Sequence, residues 1–319
     1  MSKRILALLL SAALLALGGC SARAARAEPE GVSVVATGFA AWDFARQLLG
    51  GRGQAELLIP PGSETHSFEP TPKDIINIQN CDVFIYTGGE SDAWVADVLA
   101  SVGEGVRAVT LMDCVELLEE ETVEGMESEE DGHDHAGHDH GGEVEYDEHV
   151  WTSPRNAALI CEKIAAALCE ADPDGAEEYE ANLAAYKAEL EELDAAFWDV
   201  VNNGARKTII FADRFPLLYF ARAYGLEYYA AFPGCADDAE PSAATVAFII
   251  DKVREEGIPV VFHIELSNEL MADTVCDETG AAKRQFNACH NVTRAQFDAG
   301  VTYLELMWEN VGVLREALG

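Results

Sequence analysis

Residues 175–201 read GAEEYEANLAAYKAELEELDAAFWDVV, and this stretch decides the fold. Its large apolar side chains recur at steps of four and three, which is the spacing of one stripe along an α-helix. They are Tyr179, Leu183, Tyr186, Leu190, Leu193, Phe197 and Val200. At 1.5 Å per residue such a helix is roughly 40 Å long. We therefore predict a rigid linking helix within residues 174–204, long enough to contact two separate lobes.

On both sides of this helix, short β-rich runs alternate with helical patterns. The predicted strands are 32–36, 55–59, 82–86 and 106–111 before the helix, and 208–211, 228–232, 259–264 and 284–286 after it. Short apolar runs between helices are typical of parallel strands that are buried on both faces. We therefore predict an α/β protein with two parallel-sheet lobes, 31–173 and 205–319, joined by the linking helix.

The N-terminus has the features of an export signal. Lys3 and Arg4 precede the apolar run 5–17, which is too short to span a bilayer as a helix. The run ends in Leu-Gly-Gly-Cys, which resembles the bacterial lipobox, where a peptidase cleaves before the cysteine and the thiol carries a lipid. We predict a lipoprotein signal peptide over 1–19, lipidation at Cys20 and a tether over 20–30. An ordinary secretory signal is the alternative.

The overall charge restricts the partners. The chain has 57 acidic and 21 basic residues and a formal charge of −36, so general electrostatics would repel nucleic acid. Cations suit this surface. The usual hydrolase, nucleotide-binding and metalloprotease signatures do not occur in the sequence. Of the cysteines, Cys235 and Cys289 could form a disulfide, remain free thiols, or supply one soft metal ligand.

Residues 119–148 form a strongly acidic segment within the first lobe. It has fourteen acidic residues, no Lys or Arg, and a core of alternating histidine and aspartate. Such a composition cannot bury enough apolar surface to fold alone, so we predict a disordered loop. Its histidines are His133, His135, His138 and His140. Imidazole and carboxylate groups on a flexible chain capture divalent metals with modest affinity, although a solvated linker would have the same composition.

Two further histidines lie at the ends of predicted elements in the first lobe. His66 is in PPGSETHSFEPTP, residues 60–72, just after a predicted strand, where α/β sheets bind ligands. His149 is in DEHVWTSP, residues 147–154, just before a predicted helix that starts at Pro154. One such histidine is more often structural than a ligand, but two in one lobe favour a metal site.

These two segments resemble the zinc/manganese solute-binding lipoproteins of bacterial ABC-type metal importers. ARAYGL at 221–226, EPS at 240–242 and ETGA at 278–281 extend the resemblance over the mature chain, and the histidine-rich loop indicates the zinc branch. The resemblance implies that one metal ion binds in the cleft between two lobes. It also implies an extracytoplasmic zinc receptor that serves an ABC permease and its ATPase subunit. We expect this receptor to be a monomer that its lipid holds at the cell membrane.

The resemblance leaves the third and fourth metal ligands open. The family's third ligand corresponds to Ala212 here, and its carboxylate ligand falls near Asn287, so neighbouring residues must replace them. The candidates are His290, Asp213, His263 and Glu265, with His290 first and Asp213 next. His66, His149 and His290 with Asp213 would suit tetrahedral Zn²⁺. Two histidines with two oxygen ligands would suit Mn²⁺ better.

Three other functions remain open at this point. The first is a manganese-binding receptor of the same fold. The second is a surface adhesin or metal-buffering lipoprotein without a transporter. The third is a metallohydrolase with Asp213 or Glu265 as the base, although the sequence shows no sign of a substrate pocket. We expect a receptor and not an enzyme.

Overall fold

The computed structural model describes residues 31–65, 68–102, 105–127, 144–236 and 240–319. The strands are β1 (Val32–Ala36), β2 (Gly53–Leu57), β3 (Val83–Tyr86), β4 (Arg107–Thr110), β5 (Thr208–Phe215), β6 (Glu227–Pro233), β7 (Val260–His263) and β8 (Ala282–Gln285). The helices are α1 (Phe39–Leu49), α2 (Pro72–Gln79), α3 (Trp94–Ser101), α4 (Pro154–Ala171), α5 (Ala176–Asn203), α6 (Leu218–Tyr224), α7 (Ala243–Glu256), α8 (Leu270–Thr279), α9 (Arg294–Ala299) and α10 (Tyr303–Leu318).

The strands form two four-stranded parallel sheets. The first lobe has the order β2-β1-β3-β4, and the second lobe repeats this pattern as β6-β5-β7-β8. Strand β5 contains an irregularity between Phe211 and Arg214, which changes the direction of the side chains at its carboxyl end. The predicted α/β architecture of two parallel-sheet lobes is confirmed.

Helix α5 is the predicted linking helix. It has 28 residues and ends at Asn203, with Gly204 as its C-terminal cap, close to the predicted boundary. Its Tyr186 ring lies 6.1 Å from Phe44 of the first lobe, and its Phe197 ring lies 4.8 Å from Phe220 of the second lobe. The helix therefore packs against both lobes, as the apolar stripe predicts.

The acidic segment is more ordered at its ends than we expected. Residues 119–127, here called the strap, lie against the second lobe. The carboxylate of Glu121 forms an ion pair with Arg222 and accepts a hydrogen bond from the Tyr228 hydroxyl at 2.9 Å. Hydrogen-bond donors of the second lobe bind the carboxylates of the strap and hold it in place. The expectation of disorder was therefore wrong for the strap.

The end of the strap is also bound to the second lobe. Glu127 accepts hydrogen bonds from the backbone N–H of Ser242 and the hydroxyl of Thr245, both at 2.6 Å. The next described range begins at residue 144 and contains His149. Residues 128–143, with His133, His135, His138 and His140, lie outside the described residues, so the predicted metal capture there stays a prediction.

The predicted signal peptide, Cys20 and the tether also lie outside the described residues. Across the ranges that the structure describes, no helix combines the length and the apolar sequence that crossing a bilayer requires.

Candidate metal centre

The structure brings together one histidine from each lobe. His149 precedes the short turn Val150–Thr152 that leads into α4, and His290 follows β8. Their ring centroids are 4.5 Å apart, and both side chains are largely buried. His66, the third predicted nitrogen ligand, lies outside the described residues. The structure thus places His290 beside His149, and its role as a metal ligand stays a prediction.

A carboxylate fixes the His149 ring. Asp147 Oδ1 lies 3.1 Å from His149 Nδ1 and accepts a hydrogen bond from the His149 backbone N–H at 2.8 Å. The Tyr219 hydroxyl in turn donates to the Asp147 carbonyl oxygen at 2.9 Å. When Nδ1 carries the hydrogen toward Asp147, Nε2 carries the lone pair. A ring held in this way is typical of a metal-binding histidine.

His290 is fixed in the same manner by Glu265, which follows β7. The Glu265 carboxylate accepts hydrogen bonds from the backbone N–H groups of His290 at 2.8 Å and Ala288 at 2.7 Å. Its Oε1 also lies 3.7 Å from His290 Nδ1. Glu265 therefore holds the loop of His290 and faces the ring nitrogen that is away from a metal bound at Nε2.

Burial and these contacts set the charges of Glu265 and His290. Burial would raise the pKa of Glu265, but its interaction with the His290 ring and the backbone hydrogen bonds outweigh this effect and bring the pKa below its usual range. Burial, aided by neighbouring His149, lowers the pKa of His290. His290 is therefore held neutral, which is the form that binds metals.

A cavity opens beside the two histidines and is lined by both lobes. Thr37, Asp92 and Glu148 line it from the first lobe together with His149, and His290 lines it from the second. We call this the histidine cavity. Burial and the nearby Glu148 raise the pKa of Asp92 to about 6, although its carboxylate accepts two backbone hydrogen bonds. The cavity wall thus has two imidazole rings and two carboxyl groups.

Two glycines allow the chain to approach these groups. Gly234, after β6, is so close that a Cβ would lie 3.0 Å from His149 Cε1. Gly89 has φ +73°, and a Cβ there would lie 2.2 Å from the Glu148 carboxylate. A side chain at either position would displace a group that lines the histidine cavity.

Asp213, the carboxylate that we expected as a ligand, is engaged elsewhere. Its Oδ2 accepts a hydrogen bond from the Ile264 backbone N–H at 2.9 Å, and its Oδ1 accepts one from the Arg214 N–H at 2.8 Å. It therefore ties β5 to the end of β7. Counting only described residues, no three His, Cys, Asp or Glu side chains converge as a metal site would require. The structure does not bring Asp213 to the histidine pair.

The other sequence candidates also have structural partners. His263 Nε2 lies 4.0 Å from Glu269, and its Nδ1 lies 3.0 Å from the Ile264 carbonyl oxygen. Asn287, near the family's carboxylate position, donates to the Leu306 carbonyl oxygen at 3.2 Å. The described cysteines, including Cys235 and Cys289, are free thiols, so a disulfide between these two is not formed.

Sequence reasoning missed Arg214. Ala212 is buried in the second-lobe core, whereas Arg214, two residues later, lines a second cavity with His290 and Glu265. We call this the arginine cavity. The missed signal was a basic residue at the carboxyl end of a strand, in a chain where basic residues are scarce.

The chain is similar to known zinc-uptake and zinc-binding proteins. A family model described as zinc-uptake complex component A, periplasmic, matches residues 34–317. The high-affinity zinc uptake system protein ZnuA of Bacillus subtilis (strain 168) is 32% identical over 311 residues, which cover 96% of this chain and 94% of that protein. The zinc-binding lipoprotein AdcA of Streptococcus pneumoniae (strain R6) is 31% identical, covering 98% of this chain and 61% of AdcA. The chain thus spans less than two thirds of AdcA.

A solved structure shares the fold. The crystal structure of the Zn(II)-bound ZnuA-like domain of Streptococcus pneumoniae AdcA superposes with a TM-score of 0.73 at 28% sequence identity. The match covers 90% of this chain and 99% of that domain. Two parallel-sheet lobes with a long linking helix are therefore the architecture of a structurally characterised zinc-bound domain.

Proposed function

Because this chain belongs to the family of periplasmic zinc-uptake components, we propose that it is an extracytoplasmic receptor that binds Zn²⁺ and delivers it to an ABC-type membrane importer. The observation that carries this proposal is the pair His149 and His290. They come from different lobes and lie 4.5 Å apart, and each has a carboxylate beside its Nδ1. The zinc ion is the cargo of such a receptor.

We propose His66, His149 and His290 as the three nitrogen ligands. The Nε2 atoms of the two described histidines would bind the metal, because Nδ1 faces Asp147 in one and Glu265 in the other. Three imidazoles suit Zn²⁺ in tetrahedral geometry with one further ligand. Asp213 stays outside this set because the backbone hydrogen bonds to both of its oxygens hold the carboxylate between β5 and the end of β7.

The proposed partners and location follow from the family and the N-terminal sequence. A permease and its ATPase subunit would take the ion from the receptor. Removal of residues 1–19 and lipidation of Cys20 would anchor a monomer to the cell membrane, with residues 20–30 as the tether. His133, His135, His138 and His140 would gather zinc near the receptor with modest affinity.

Two observations favour a zinc receptor over a manganese receptor and over a metallohydrolase. Nitrogen-rich sites favour Zn²⁺, whereas Mn²⁺ prefers oxygen ligands, and the described pair is nitrogen-rich. A metallohydrolase would need an open position for substrate, and the family match favours a receptor over an enzyme. A metal-buffering adhesin would have the same site, so only transport by cells that carry the gene separates it from a receptor.

A competition titration of Zn²⁺ against Mn²⁺ on metal-stripped protein tests the proposal. The protein should lack residues 1–20 and 128–143 but keep the strap, which packs on the second lobe. We expect one tight equivalent that prefers Zn²⁺. A preference for Mn²⁺, or no tight binding, would overturn the zinc assignment.

Variants then locate the site. His149→Ala and His290→Ala should each lower zinc affinity by orders of magnitude. His263→Ala is the matched control, since His263 is also buried but contacts Glu269 and the Ile264 carbonyl. An equal loss in the control would mean that the histidine pair is not the site.

A further inference from the structure

An ion pair lies next to the proposed zinc site. Arg214 Nη2 of the second lobe is 3.4 Å from Glu64 Oε2 of the first lobe, and Arg214 Nη1 donates to the Ala236 carbonyl oxygen at 3.2 Å. Both residues line the arginine cavity together with His290. The Arg214 side chain is only 13% exposed, so its charge is poorly screened by water.

A guanidinium in this position opposes metal binding. Like charges repel strongly where water is largely excluded, and a divalent ion bound to His290 would share its surroundings with Arg214. Glu64 is the carboxylate that pairs with Arg214 across the lobes. Their 3.4 Å separation exceeds the 2.7 to 2.9 Å that is usual for a charge-assisted hydrogen bond, and Glu64 Oε1 also accepts a hydrogen bond from the Thr65 backbone N–H at 3.0 Å.

The backbone beside Glu64 is held independently of this pair. Asn291, the neighbour of His290, donates its side-chain N–H groups to the carbonyl oxygens of Pro60 at 2.9 Å and Ser63 at 3.0 Å. The Glu64 side chain itself is 38% exposed. Its carboxylate can therefore change partners while the loop stays in place.

We propose, building on the zinc-receptor function above, that Glu64 is a further ligand of the metal and that Arg214 competes with the metal for its carboxylate. A carboxylate oxygen is an ordinary zinc ligand and would complete a tetrahedral set with three histidines. When zinc enters, Glu64 leaves Arg214 and binds the ion. When zinc departs, Arg214 takes the carboxylate back, which favours release to the next protein.

Zinc affinity and the rate of zinc release to an excess chelator test this competition in the variants Glu64→Gln and Arg214→Gln. We expect Glu64→Gln to weaken binding by an order of magnitude or more and to change the visible spectrum of the Co²⁺-loaded protein, because an oxygen ligand is lost. We expect Arg214→Gln to tighten binding and to slow release, because the competitor is gone.

The opposite signs are the decisive result. If the ion pair only clamped the two lobes, both variants would weaken binding alike, and the proposal would fall. Unchanged affinity and an unchanged Co²⁺ spectrum in Glu64→Gln would also overturn it. The ion pair of Glu121, in the strap, with Arg222, in α6, supplies matched controls: Arg222→Gln and Glu121→Gln should leave zinc binding as it is. Thermal melts of all variants check folding.

This result is separable from a failure of the zinc-receptor function. If the zinc-receptor function is wrong, the unsubstituted protein itself does not bind one equivalent of zinc tightly. If only the Glu64 proposal is wrong, the unsubstituted protein binds zinc, His149→Ala abolishes binding, and Glu64→Gln has no effect.

Discussion

Trp151 donates its indole N–H to the carbonyl oxygen of Ala288 at 2.8 Å. This bond joins the segment of His149 to the segment of His290, two residues away from each histidine. The Trp151 ring also lies 5.6 Å from the His149 ring and 5.5 Å from the His290 ring. One side chain of the first lobe therefore sets the separation of the two proposed ligands.

Trp151→Phe keeps an aromatic ring but removes the donor. The Ala288 carbonyl would lose a buried hydrogen bond, so we expect the free energy of unfolding to fall by about 1 to 3 kcal/mol. Zinc affinity should fall as well, because the distance between the histidines is less well fixed. Urea denaturation and zinc titration measure the two effects, and unchanged zinc affinity would show that the bond does not position the pair.

Asp147→Asn and Glu265→Gln should each weaken zinc binding. The carboxylates orient the imidazole rings and keep Nε2 available, and loss of such a partner costs about 10- to 100-fold in metal affinity. Chelator competition measures the change. Asp213→Asn is the control, since its side-chain oxygen can still accept from Ile264; a loss as large as that in Asp147→Asn would reinstate Asp213 as a ligand.

Asp92 should make the metal-stripped protein less stable as the pH rises. Burial raises its pKa from 3.8 to about 6, so the folded state holds the proton more tightly than the unfolded chain. This contribution to stability is fully present below the ordinary pKa and is lost as the pH rises through about 6.

Asp92→Asn removes that pH dependence and can still accept both backbone hydrogen bonds, which go to one oxygen. We expect the variant to be more stable at neutral pH, by up to about 3 kcal/mol for a shift of two pKa units. The difference should disappear below a pH of about 4. Urea denaturation across this range measures it, and an advantage that does not vary with pH would contradict the assignment.

Asn291→Ala should weaken zinc binding by loosening the loop that leads to His66. The two hydrogen bonds to Pro60 and Ser63 would be lost, and ordering that loop would then cost part of the binding free energy. Asn291→Asp should weaken zinc binding in the same way, because a carboxylate cannot donate hydrogen bonds to the carbonyl oxygens of Pro60 and Ser63. Zinc titration and the Co²⁺ spectrum report the change; a normal spectrum at full affinity would mean that Asn291 is only structural.

The fold was predictable because its signals are local and periodic. The apolar stripe of α5 and the short runs of β1 and β5 follow from which side chains are buried, so helix, strands and lobes were found at nearly the right residues. After Thr293 the chain forms two helices, α9 and α10, and Gly300 takes φ +78° between them.

The site was predictable only in part because it depends on contacts between distant segments. His149 and His290 follow from histidine at element ends, but the orientation of Arg214 depends on the irregularity in β5, which no periodicity indicates. The partners of Asp213 are backbone N–H groups, which have no signature in side-chain types. The order of the strap depends on donors such as Arg222 and Thr245, which lie 101 and 118 positions beyond their partners in the chain.

The strap also affects the order in which the molecule folds and opens. Its bonds join residues separated by 101 to 118 positions, from Glu121 to Arg222 and from Glu127 to Thr245. Contacts of such long range close late, after the neighbouring βα units have formed. Two of them, from Glu121 to Arg222 and from Glu127 to Ser242, are exposed at the surface, where local opening costs little. In hydrogen exchange the strap should therefore lose protection early, while β5 and α5 are still closed.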